Sequence, residues 1–129
     1  MSGESGERGE VSREIFALSS DRADAPVDAM RALRSRGRDV VPALLEAIRA
    51  DKLGGVALGR LLELLAEVDP NSALSVATNL LDDPRSHVAY AARRTLALVA
   101  NPRARQLLLD IAGGPDADAA AHARILLDD

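Results

Sequence analysis

The amino-acid sequence predicts an all-α protein, a short right-handed α-solenoid of about four antiparallel helix pairs. Three observations lead there. Apolar residues recur at helical spacing along nearly the whole chain. Asp-Pro, Asn-Pro and glycine punctuate it at a period of about thirty residues, as in small helical repeats. Hydrophobic residues make up 47% of the sequence, yet Phe16 and Tyr90 are the only aromatic residues. A core of Ala, Leu, Val and Ile suits close-packed helices, because the β-branched and aromatic types that fill strands are scarce. The 129 residues suffice for one domain with a modest core, expected over residues 10–129.

Residues 1–9 are Gly, Ser, Glu and Arg around the initial Met, with nothing apolar to anchor them, and are expected to form a disordered tail. From Glu10, Val11, Ile15 and Leu18 share one helical face with Phe16 beside it, and Ser19-Ser20-Asp21 ends the helix. Asp24-Ala25-Pro26 restarts one, with Val27, Met30 and Leu33 on one side and Gly37 in the left-handed cap position. This first pair, residues 10–37, is degenerate, as terminal repeats often are.

Asp39–Ala50 is the next helix, capped by Asp39, with Pro42 in its first turn and Val41, Leu44, Leu45 and Ile48 as the buried stripe. After a turn over Lys52–Gly55, Val56–Val68 buries Leu58, Leu61, Leu62 and Leu65, and Gly59 leaves room for a close helix approach. Asp69-Pro70 opens a helix through Leu80. Asp83-Pro84 opens its partner, which buries Val88, Ala91, Ala92, Thr95, Leu96 and Val99. Asn101-Pro102 leads to Gly113-Gly114, and Pro115-Asp116 begins the last helix. Equivalent positions recur: Leu44, Val76 and Leu107 in the first helix of a pair, Leu58, Val88 and Ala119 in the second.

These residues resemble a known family. DVVPALLEAI at Asp39–Ile48 is similar to the first helix of a HEAT-like repeat of the phycobilisome-lyase type. DDPRSHVAYAARRTLALVANPRARQLLLDI at Asp82–Ile111 is similar to a second helix joined to the next first helix. Asp83-Pro84, Val88, Ala91-Ala92 and Thr95-Leu96 carry the family wording, with Ala89 where an Arg is common. The resemblance covers Asp39–Asp129 well and Glu10–Gly37 weakly. It implies a fold rather than an activity, because the family includes scaffolds, adaptors and a minority of chromophore lyases.

Several function classes are disfavoured. The chain has no Cys, which excludes disulfides, thiolate nucleophiles and Cys-based zinc sites. The first ten residues lack a signal-peptide layout and no apolar run reaches membrane-spanning length, so a cytoplasmic protein with no membrane partner is expected. No cofactor is expected. His87 and His122 are the groups that titrate near neutral pH when unperturbed, and the sequence gives neither a catalytic partner. Both are read as structural or surface residues. The aspartates lack calcium-loop spacing and serve better as helix caps.

One pattern remains. Projection at 100° per residue places Arg31, Arg34, Arg60, Glu63, Glu67, Tyr90, Arg93, Arg94 and Arg124 on the outward face of the second helices, the inner surface of a HEAT-like stack. That is six Arg against two Glu in a chain of net charge −4. Arg and Tyr are enriched at binding hot spots. The expected function is therefore a non-catalytic adaptor or scaffold that binds a protein partner with an acidic segment. The alternatives are a chromophore-lyase-type enzyme or accessory subunit and a nucleic-acid backbone binder. Nucleic acid is disfavoured by the net charge, the single Lys and the near-absence of stacking aromatics. Ala121 and Ile125 leave the last helix thinly capped, so homo-oligomerisation through the ends of the solenoid is a further expectation.

Overall fold

The structure, a computed structural model, describes residues 11, 13–17, 25–50 and 55–128. The expected tail at 1–9, the stop at Ser19-Ser20-Asp21 and the turn over residues 52–54 lie outside the described residues. Among those described there are eight α-helices, one 3-10 turn and no strand. The protein is all-α. No helix among them is long and apolar enough to cross a membrane.

The described residues up to Asp69 form one compact unit, and those from Pro70 form another. In the first, α1 (residues 11 and 13–17) and α2 (Ala25–Ser35) are followed by a 3-10 turn (Gly37–Val40), α3 (Val41–Ala50) and α4 (Gly55–Val68). Gly37 adopts φ +61°, the left-handed conformation its position after the last turn of α2 requires. The tighter turn that follows carries Val40 into the core, so α3 begins two residues later than expected and Asp39 lies within the 3-10 turn. The main core is leucine-rich: Leu33, Leu44, Leu61, Leu62, Leu64 and Leu65 are completely buried. In α2 it is Ala29, four residues before Leu33, that shares the buried side, whereas Val27 is exposed. Phe16 is likewise exposed. Gly59 marks no close approach, since an added Cβ would meet nothing within 4 Å among the described residues.

The second unit contains α5 (Pro70–Leu80), α6 (Ser86–Val99), α7 (Pro102–Ala112) and α8 (Ala117–Asp128). α5 packs on α6 and α7 on α8, while α6 also touches α7 and α8. Its core is built on small residues, with Ala77, Ala92, Ala104 and Ala123 around Leu96 and Leu108. The one buried polar side chain among the described residues, Thr95, donates its hydroxyl to Ala91 O at 2.8 Å, which satisfies it within its own helix.

Punctuation works as the sequence suggests at α7, where Asn101 Oδ1 accepts from Ala104 N at 2.8 Å with Pro102 in the first turn. Asp116 Oδ1 accepts from Ala119 N at 3.1 Å and caps α8, leaving Pro115 outside the helix. Asp83-Pro84 departs from expectation. Asp83 Oδ1 accepts from Arg85 N two residues on, at 2.9 Å, which closes a local turn and delays α6 to Ser86. α6 ends on Ala100, a non-glycine residue at φ 54°.

Candidate partner-binding face

Helical periodicity sorts α6 into two sides. Val88, Ala91, Ala92, Thr95 and Leu96 point inward. Tyr90, Arg93 and Arg94 fall on the opposite side, with Tyr90 52% exposed, Arg94 exposed and Arg93 half-buried. On α8, Ala120 and Ala123 are buried, with His122 between them and half-buried. Small side chains on both helices allow the backbones close together, and two rings meet at the surface. Tyr90 and His122 stack with centroids 4.0 Å apart and planes 7° from parallel.

Arg93 completes the cluster, since its Nε donates to His122 Nδ1 at 2.8 Å. A guanidinium has no acceptor, so Nδ1 presents its lone pair and the imidazole is neutral with its proton on Nε2. Burial, and then the positive charge of Arg93, hold the His122 pKa below its ordinary value of 6.5. The arrangement gives Arg93 a fixed position without cancelling its charge. It also engages the basic nitrogen of His122, so the imidazole is not offered as a general base.

The other residues of the expected face divide sharply. Arg34 and Glu67 form a bidentate pair across α2 and α4, Nε to Oε2 at 2.5 Å and Nη2 to Oε1 at 3.2 Å. The hydrogen bond and charge of Glu67, with a smaller contribution from Glu63, raise the Arg34 pKa above its ordinary value. Arg31 is exposed on α2, and Arg60 on α4 is half-buried. Arg124 donates from Nη2 to Ala112 O at 3.0 Å, satisfying a carbonyl at the end of α7. Arg94 is exposed and makes no hydrogen bond or ion pair with a described residue.

The structure thus brings Tyr90 and Arg93 together, and separately Arg34, Glu63 and Glu67. It adds His122, which was expected only as a structural or surface residue. A signal for that residue is present in the sequence. Tyr90 and His122 lie 32 positions apart and Arg93 and His122 lie 29 apart, close to the period of about thirty residues expected from the sequence. α6 and α8 are in contact, and residues at this spacing on the two helices meet side by side.

No protein-family model, curated protein or solved structure matches the chain. The site therefore stands on its own geometry.

Beside the cluster, the loops at 81–85 and 113–116 border an open groove of about 730 Å³ whose lining includes Leu81, Asp82, Leu107, Ile111, Asp118 and Arg93. Three further aspartates there have local tasks. Asp83 binds Arg85 through backbone and side chain, Asp110 accepts from Gln106 at 2.9 Å, and Asp116 caps α8. Together the Asp83 contacts with Arg85 pull its carboxyl pKa down to about 2. No group of three His, Asp or Glu suited to a metal occurs among the described residues.

Proposed function

We propose that this chain is a non-catalytic interaction module, an adaptor or scaffold whose helix pairs stack as a short HEAT-like solenoid. It binds the acidic segment of a protein partner through the outward side of α6, centred on Tyr90, Arg93 and Arg94. The observation that carries this reading is the Tyr90–His122–Arg93 cluster. A half-exposed aromatic ring and a guanidinium are held in place by a neutral imidazole, beside a second, unengaged guanidinium on Arg94.

Two features make the cluster suited to recognition. Aromatic and arginine side chains give large contact areas, and the Tyr90 ring, already held against His122, loses little conformational freedom on binding. The guanidiniums of Arg93 and Arg94, neither of them paired with a carboxylate, put positive charge on the outward side of α6, which favours an acidic segment there.

The test is a pull-down from lysate of the source organism with wild type and the Arg93→Glu/Arg94→Glu variant, with circular dichroism to establish that both are folded. The expected result is a partner held by wild type and lost by the variant, with an acidic segment protected from proteolysis in the complex. Equal capture by both proteins would remove the α6 face from the proposal.

A further inference from the structure

The bond between Arg93 and His122 survives only while the imidazole is neutral. Nδ1 is the acceptor, and Arg93 Nε can only donate. Once protonated, Nδ1 carries a hydrogen aimed at the Nε–H only 2.8 Å away, and two positive groups face each other. One partner must leave. His122 is retained, because its ring lies flat against Tyr90 and a cation over an aromatic face is attracted to it. Arg93 is the side chain that moves.

We propose that His122 is a proton-operated latch on Arg93. With the imidazole neutral, the latch is closed and the Arg93 Nε edge is occupied. On protonation, Arg93 is released, and the face gains one positive charge and a free Nε–Nη edge of the kind that binds a carboxylate in bidentate fashion. This rests on the binding face proposed above and adds its regulation: the face favours acidic groups more strongly on mild acidification.

Among the charged groups on the helices packed about the ring, Arg93 is the one that bonds to it and shifts it. From α6 come Tyr90 and Arg93 themselves, with His87 and Arg94 elsewhere on that helix. α7, the other helix packed on α8, carries Arg103, Arg105 and Asp110, and α8 carries Asp118, Arg124 and Asp128. Of these, Asp110 is engaged by Gln106 and Arg124 by Ala112. Burial and Arg93 are what shift the imidazole.

The experiment is an NMR titration of the full chain that follows the His122 ring and the Arg93 Nε–H resonance together. In wild type the Arg93 Nε–H signal is expected to move or be lost with the same midpoint as the His122 ring. In Arg93→Met that midpoint is expected to rise, while the Tyr90 ring shift on His122 persists. An Arg93 Nε–H signal unchanged through the His122 titration would overturn the latch, as would an unmoved midpoint in a folded Arg93→Met variant. The wild-type measurement needs no substitution, so misfolding of the variant leaves the test intact. Neither measurement needs a partner. Failed capture with coupled titrations would therefore remove the binding reading alone, and successful capture with uncoupled titrations would remove the latch alone.

Discussion

The two compact units use the same residue types to different ends. In the first, guanidiniums face carboxylates: Arg34 meets Glu67, Arg36 meets Glu14 at 3.1 Å and Arg38 meets Asp69 at 3.6 Å. In the second, the carboxylate pair is a local one, Arg85 on Asp83 two residues away, whereas Arg93 is held by a neutral histidine and Arg94 by no described residue. A carboxylate partner fixes an arginine and cancels its charge, whereas an imidazole partner fixes it and leaves the charge in place. An arginine count along the second helices treats these cases alike. The acceptor opposite each arginine separates guanidiniums whose charge is paired from those whose charge is left open.

The cores differ in a parallel way, and the largest expected effects come from there. Leu62 in the first unit is completely buried among other leucines, so Leu62→Ala should cost about 2–5 kcal/mol through lost burial and the cavity left behind. The second unit is limited by space instead. Ala77 is completely buried in the core shared by α5, α6, α7 and α8, and Ala77→Leu should cost about 1–3 kcal/mol by overpacking. Urea unfolding can assign each loss, because Tyr90 is the chain's single tyrosine and its fluorescence reports on the second unit, while circular dichroism reports on both. Leu62→Ala should move the circular-dichroism transition more than the Tyr90 signal, and Ala77→Leu should move the Tyr90 signal more than the circular-dichroism transition. Equal shifts of both signals by either substitution would mean that the units unfold as one, and would break the contrast.

How far the sequence reaches is clear from particular residues. Helix positions were legible because period, proline and cap residues act locally. Gly37, Asn101-Pro102 and the inward row of α6 behave as their neighbours in sequence dictate. Asp83-Pro84 misled by a few residues, because an aspartate ahead of a proline can close a turn as readily as cap a helix, and here Arg85 supplies both donors. The candidate site was legible only as a list of outward residues. Which arginine meets a carboxylate, which meets a backbone carbonyl and which meets a histidine depends on the packing of one helix against another. No local pattern encodes that.

Backbone conformation offers a smaller contrast. Ala100 closes α6 at φ 54° and its N–H reaches Leu96 O, a left-handed cap that glycine takes at lower cost. Ala100→Gly should stabilise the second unit by up to about 1 kcal/mol. Gly59 is the opposite case in the first unit, a glycine within α4 where a Cβ meets open space. Gly59→Ala should stabilise by about 0.5–1 kcal/mol. Thermal unfolding should show both gains. Destabilisation by Ala100→Gly would mean that the lost Ala methyl contributes more than the relieved strain.

The charge pairs should give less still. Arg34 and Glu67 are 49% and 42% exposed, so solvent screens the pair in spite of its bidentate geometry. A double-mutant cycle with Arg34→Gln and Glu67→Gln should give a coupling of about 0.2–1 kcal/mol that shrinks as salt rises. A coupling that held in high salt would point to a pair shielded from solvent and would weaken the view of this surface as exposed and self-satisfied.

Asp83 tests the same principle through pH. Its carboxyl pKa lies at about 2 in the folded protein, against an ordinary 3.8, because the Arg85 side chain and backbone N–H both donate to its charged form. A group with a lowered folded pKa contributes stability that is fully present above its unfolded value. That contribution is lost as pH falls from about 3.8 through about 2, since the unfolded chain takes up the proton first. Asp83→Asn keeps an oxygen for the Arg85 N–H and removes the titration. Its unfolding midpoint should therefore fall less steeply than that of wild type between pH 5 and 2 (a range of about three units). Identical acid profiles would show that the Arg85 contacts persist in the unfolded chain. That outcome is physically open for a pair only two residues apart, whereas the Arg93–His122 contact spans 29 positions and requires the fold.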